Sequence, residues 1–144
     1  MKSQNSHDTQ ALHQALSNAP NLERFLSQHA QDMVSTALSE QISQLLDASG
    51  LRKADVARQA GISEVYLHQI LSGLRTPSRN RLICLCMALR ASLEQTQALL
   101  KASGLAPLYP RNRRDAIILY GLSHGMDLEQ INNSLRQSQE RPLC

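Results

Sequence analysis

The chain has 144 residues, of which 42% are hydrophobic but only 3% aromatic, and it carries a formal charge of +3 with no tryptophan. That length suffices for one ordinary domain with a buried core, and an interior left to Leu, Ile, Val and Ala favours packed helices over a β-sandwich. Cys84, Cys86 and Cys144 contain no C-x-x-C pair, which argues against a disulfide framework or a zinc site, and no apolar run approaches the roughly 18 residues of a membrane span.

Met1 to Asp8 is rich in Ser, Gln and Asn and too poor in apolar side chains to offset the entropy of ordering, so it is expected to fray. Thr9 to Asn18 reads as a short helix through Leu12 and Leu16. Pro20 breaks it, and Asn21 to His29 reads as a second, with Leu22, Phe25 and Leu26. Residues 1–33 thus form a polar N-terminal arm that packs on the domain or on a partner chain. From Val34 to Ser49 the positions Leu38, Ile42, Leu45 and Leu46 repeat at helical spacing, and Gly50 supplies the stop.

Lys53 to Ala60 is a short helix closed by Gly61. Ser63 caps the next, which runs through Leu67, Ile70 and Leu71 to Gly73. Thr76, Pro77 and Ser78 then make a rigid turn, with Ser78 capping a helix that holds Leu82, Ile83, Leu85, Cys86 and Leu89. This is the pattern of a buried helix, on which Cys84 and Cys86 point to different faces, so that one is expected in the core. Ser92 and Gln95 form a capping box for a fifth helix, containing Leu93, Thr96, Leu99 and Leu100 and ended by Gly104. After a linker bracketed by Pro107 and Pro110, two further helices are expected. Asn112 to Leu122 is apolar nearly all round, and Asp127 to Arg136 follows an Asp127-x-x-Gln130 box, with Gly121 and Gly125 bracketing the turn between them. No strand-period alternation and no repeat is present.

Charge is unevenly placed. Met1 to Ser49 has two Lys/Arg against five Asp/Glu, a net of −3. Gly50 to Ala91 has seven against two, a net of +5, and Ser92 to Cys144 has six against five, a net of +1. The basic excess lies where two short helices are joined by a tight turn, as a surface for nucleic-acid phosphates requires. A helix-turn-helix needs a small residue inside its first helix and a flexible one in the turn. Ala57 and Gly61 meet both needs, while Val56, Ile62, Leu67 and Ile70 remain to hold the pair against the core.

On these residues, with the stretch Ile70 to Ser78 and the later Leu82, Leu85 and Leu89, the chain resembles the lambda-repressor-like or Cro-like (XRE family) helix-turn-helix regulators over roughly Leu38 to Gly104. The resemblance implies an all-α fold: a five-helix domain at 34–104, with an N-terminal helical arm and a C-terminal helical extension at 105–144. The function it implies is transcriptional regulation by binding double-stranded operator DNA, as a homodimer on a palindrome. Carried over by position, Ser63, Glu64, Val65, Tyr66, His68 and Gln69 would read bases, and Arg52, Lys53, Arg75 and Arg79 would contact phosphates. Two features depart from the pattern. Arg52 stands where a small polar cap is usual, and the recognition helix carries Glu64 but no Lys or Arg of its own. The run from Ala106 to Ile118 is similar to the C-terminal extension of a bacterial subgroup, for which dimerisation or capping of the core is expected.

His7, His13, His29, His68 and His124 are scattered, without metal-ligand spacing or an acid cluster. Ser123, His124 and Asp127, close neighbours on a helix-ending turn, do not suggest nucleophile-base geometry. The expectation is therefore a non-enzymatic, cytoplasmic and nucleoid-associated regulator without cofactor, metal or membrane segment. The alternative is a protein-interaction scaffold, or antitoxin-like partner, that uses the same fold and its terminal helices to grip another protein.

Overall fold

The computed structural model describes residues 2–28 and 38–144, and all regular structure among them is helical. The chain divides into two units, Met1–Ser35 and Thr36–Cys144.

The first unit holds α1 (Lys2–Asn18) and α2 (Leu22–Gln28). α1 begins at Lys2, where fraying was expected up to Asp8. The stretch to Asn18 contains neither Gly nor Pro, so nothing in it breaks a helix once started. Pro20 follows the end of α1, and Asn21 Oδ1 accepts from the Arg24 backbone N–H at 2.7 Å, capping α2. Phe25 is buried, while Leu16, Leu22 and Leu26 are exposed. The expected end at His29 and the expected start at Val34 lie outside the described residues.

The second unit comprises α3 (Leu38–Ser49), α4 (Lys53–Ala60), α5 (Glu64–Leu71), α6 (Arg79–Ala88), α7 (Leu93–Ala102), α8 (Arg113–Ser123) and α9 (Leu128–Gln137). Local chemistry sets most of these boundaries. Ser63, Ser78 and Asn112 each accept a backbone N–H three residues on, and Ser92 with Gln95 and Asp127 with Gln130 form reciprocal capping boxes. Gly61 ends α4 at φ 73°, a left-handed conformation that lets the Ile62 N–H reach back to the Ala57 carbonyl at 2.9 Å.

α6 is the axis of this unit. Leu82, Ile83, Cys84, Leu85 and Cys86 are all buried on it, with α4 packed across it and α7 beside it. Both cysteines are therefore in the core, where one was expected, because α6 is enclosed on every side from Leu82 to Cys86, while Arg81 before this stretch reaches solvent.

Residues 105–144 share this core. Ile118, Ile131, Leu135 and Leu143 belong to the same apolar cluster as Val56, Leu67 and Leu82. Gly121 lies inside α8 rather than at its end, and a side chain there would collide with Ile131 of α9. The segments are also stitched by polar contacts. The Gln97 side chain donates to Leu108 O at 2.9 Å and accepts from Leu108 N at 2.7 Å, and Asn132 Oδ1 accepts from Leu143 N at 2.7 Å. Arg114 closes the end of the chain over α8 by donating to Arg141 O and Pro142 O.

Candidate nucleic-acid interface

The helix-turn-helix is built from the inside outward. Val56, Ala57 and Ala60 of α4 and Leu67 and Ile70 of α5 are buried, and small side chains at 57 and 60 allow the two helices to approach. At about 100° per residue, Leu67 and Ile70 fix the inner face of α5, so Val65, His68, Gln69 and Ser72 lie opposite, with Glu64 and Tyr66 on the two flanks. Exposure follows this geometry: Val65 is 67% exposed, Glu64 and His68 are exposed, and Gln69 and Tyr66 are half-buried.

A groove of about 620 Å³ runs along one side of this face, lined by Gly61, Val65, Tyr66 and Gln69 together with Arg75 and Arg81. Ser63 reaches it as well, but its Oγ accepts from the Tyr66 backbone N–H at 3.0 Å and so serves as the N-cap of α5. Leu74, at the far end of α5, is 74% exposed. Of the six expected base readers, Ser63, Val65, Tyr66 and Gln69 share the groove, while Glu64 and His68 do not line it.

The four expected phosphate contacts have different surroundings. Lys53 and Arg75 are exposed and form no ion pair with a described residue. Arg52 is the N-cap residue of α4 but makes no side-chain cap. Its Nε instead meets Asp55 Oδ2 at 3.0 Å, and Arg58 meets Asp55 Oδ1 at 2.8 Å. The hydrogen bond from Arg52, and then that from Arg58, hold the Asp55 carboxyl below its ordinary pKa. Arg52 thus has a carboxylate partner at a spacing, Arg52-x-x-Asp55-x-x-Arg58, that is visible in the sequence.

Arg79 is turned inward. Its guanidinium donates to Ala106 O at 2.7 Å, to Pro107 O at 3.0 Å, and to both oxygens of Asp115 at 3.1 and 2.9 Å. Four of the five guanidinium N–H groups are therefore committed within the chain. Burial tends to raise the Asp115 pKa, but the hydrogen bonds from Arg79 and from the Tyr109 N–H outweigh it, leaving the carboxyl below its ordinary value.

Arg81 is a residue that the sequence reasoning did not single out. It lies on α6, exposed, with its guanidinium carbon 5.1 Å from the centroid of the Tyr66 ring; the Arg75 guanidinium carbon lies 6.0 Å from the same centroid. Nothing local links positions 66, 75 and 81, so only the regional excess of positive charge hinted at the cluster. α6 also has no acidic residue in its first turn, where α4, α5, α7, α8 and α9 each have one. Cations at that end oppose the helix dipole, and here Asp115 compensates Arg79 while the π-face of Tyr66 attracts Arg81.

No group of three His, Cys, Asp or Glu suited to a metal ion occurs among the described residues, and no described helix is long and apolar enough to cross a membrane. Ser123 Oγ bonds to the carbonyls of Leu119 and Tyr120, and the His124 ring stacks on Tyr120 at 3.9 Å, an arrangement that closes the end of α8.

Residues 37–99 match the family described as a helix-turn-helix domain, a span that covers α3 to α6 and most of α7. Comparison with curated proteins found no match, and comparison with solved structures found none.

Proposed function

Taking residues 37–99 as a helix-turn-helix domain of a family found in XRE-like regulators, we propose that the chain is a sequence-specific transcriptional regulator. It binds a palindromic operator as a dimer, with α5 in the major groove. The observation that supports this best is the solvent face of α5, where Val65 and Gln69 share a groove with Arg75. In this reading Gln69 pairs with an adenine through its amide, Val65 meets a thymine methyl, and Glu64 accepts from a cytosine amino group, with His68 beside them. Lys53 and Arg75 contact phosphates and set register. The protein works in the cytoplasm at the nucleoid and catalyses no reaction.

The extension at 105–144 acts as a cap, a role supported by the core it shares with α4 to α6. The dimer then forms through other apolar surface, for which exposed Leu16, Leu22 and Leu26 of the N-terminal unit are the best candidates. In sedimentation, Leu22→Glu with Leu26→Glu shifts the dimer towards monomer.

The direct test is a mobility-shift titration at low and moderate salt, on duplexes enriched from a random-sequence pool by the wild-type chain. Gln69→Ala is expected to lose preference for one sequence, while Lys53→Ala weakens all sequences alike. Absence of wild-type binding at low salt refutes the regulator reading and favours a protein partner, to which exposed Val65 and Leu74 would offer an apolar contact.

A further inference from the structure

We propose that Tyr66 is a platform rather than a base reader: its ring positions Arg75 and Arg81, and these two guanidiniums together grip one DNA backbone phosphate beside the base edges met by Val65 and Gln69. The inference rests on the DNA-binding reading above and assigns Arg81 a contact role and Tyr66 a positioning role.

Few of the cations around the helix-turn-helix are free. Arg52 and Arg58 share the carboxylate of Asp55, Arg79 is held by Asp115, and Arg113 lies 3.4 Å from Glu140. Arg75 and Arg81 form no ion pair with any described residue, yet both stand over one aromatic ring, at 6.0 and 5.1 Å. Each is attracted by the electron-rich face of Tyr66, so one ring gathers two positive charges and makes its surroundings attractive to an anion. A phosphate suits two planar guanidiniums, whose N–H groups fork towards its oxygens.

Tyr66, Arg75 and Arg81 line the same groove as Val65 and Gln69, so a phosphate on the arginines leaves the neighbouring base edges within reach of α5. The three come from three different segments: Tyr66 from α5, Arg75 from the loop after it, and Arg81 from α6. The Tyr66 ring is half-buried and its backbone N–H is bonded to Ser63, which fixes the platform relative to the start of the recognition helix. Turning the ring towards a base would give up both cation–ring contacts.

The test uses the full chain and two probes, a duplex enriched by wild type from a random-sequence pool and a random-sequence duplex, each titrated over a range of salt. Arg81→Gln is expected to weaken both probes, and Arg75→Gln with Arg81→Gln to reduce the slope of log affinity against log salt by about 0.9, the value for the one phosphate they share. Tyr66→Phe keeps the ring and should match wild type, whereas Tyr66→Leu weakens both probes by the same factor, about threefold, as expected for a lost cation–π contact. Wild-type affinity in Arg81→Gln, or an unchanged slope in the double variant, overturns the proposal while leaving the DNA-binding reading intact. So does a Tyr66→Leu variant, folded by circular dichroism, that loses preference at one base pair while its random-sequence affinity holds. If wild type binds neither probe at low salt, the DNA-binding reading fails and this assignment fails with it.

Discussion

Arg79 and Asp115 stand 36 positions apart in the chain and meet through two parallel hydrogen bonds of 3.1 and 2.9 Å, joining the first turn of α6 to the first turn of α8. The same guanidinium reaches the carbonyls of Ala106 and Pro107, so one side chain fixes both the linker and the helix beyond it.

Removing either partner leaves the other charge partly buried without its counterion. Arg79→Met or Asp115→Ala is expected to lower stability by about 2 kcal/mol in urea denaturation at neutral pH, below the range for fully buried pairs because Arg79 retains some exposure. The pH profile supplies a second check. The Asp115 pKa is lowered in the folded chain, so its contribution is full above the unfolded value and is lost as pH falls through the folded one. Wild type should lose stability below about pH 4, and Asp115→Asn should show a shallower decline there. A profile identical to wild type would mean that the pair does not hold the extension.

Gly121 sits where α8 and α9 cross. A Cβ there would lie 2.7 Å from Ile131 Cδ1 and closer still to Cγ1. Gly121→Ala is expected to destabilise by about 1–3 kcal/mol through overpacking. Adding Ile131→Ala should cost less than the sum of the two single changes, because the second removes the atoms with which the first collides. Strict additivity in the double-mutant cycle counts against this packing.

Ser63 has a structural role that can be separated from base reading. Ser63→Ala is expected to lower stability by about 1 kcal/mol, and Ser63→Asp, which can still accept the Tyr66 N–H, should restore most of it. Thermal denaturation of the three proteins decides the matter; equal losses in both variants would rule out the cap as the reason.

Burial pushes the Cys84 thiol up to about 12 and the Cys86 thiol up to about 11, while Cys144 is exposed. Since the thiolate is the reactive form, an alkylating reagent at pH 8 should label Cys144 first in the native chain, with Cys84 and Cys86 following only on unfolding. Mass spectrometry of peptides after a short pulse reads the order directly, and early label on Cys84 or Cys86 would show that α6 is not enclosed.

The amino-acid sequence shows where α4 to α9 start and stop. Caps such as Ser63, Ser78, Ser92 and Asp127, and stops such as Gly61, act on backbone groups three or four residues away, so their chemistry is complete within one turn of chain. It also marked Val65 and Gln69 as outward, because helical period fixes their faces once Leu67 and Ile70 are inward. Folding alone sets which cations are free and what each side chain faces. Arg79 is held by Asp115, Arg81 joins Arg75 over Tyr66, Cys84 and Cys86 are both enclosed, and Gly121 is a helix crossing rather than a turn. Each of these depends on segments brought together by folding, and a side chain's partner across such a gap leaves no trace in the spacing of its neighbours.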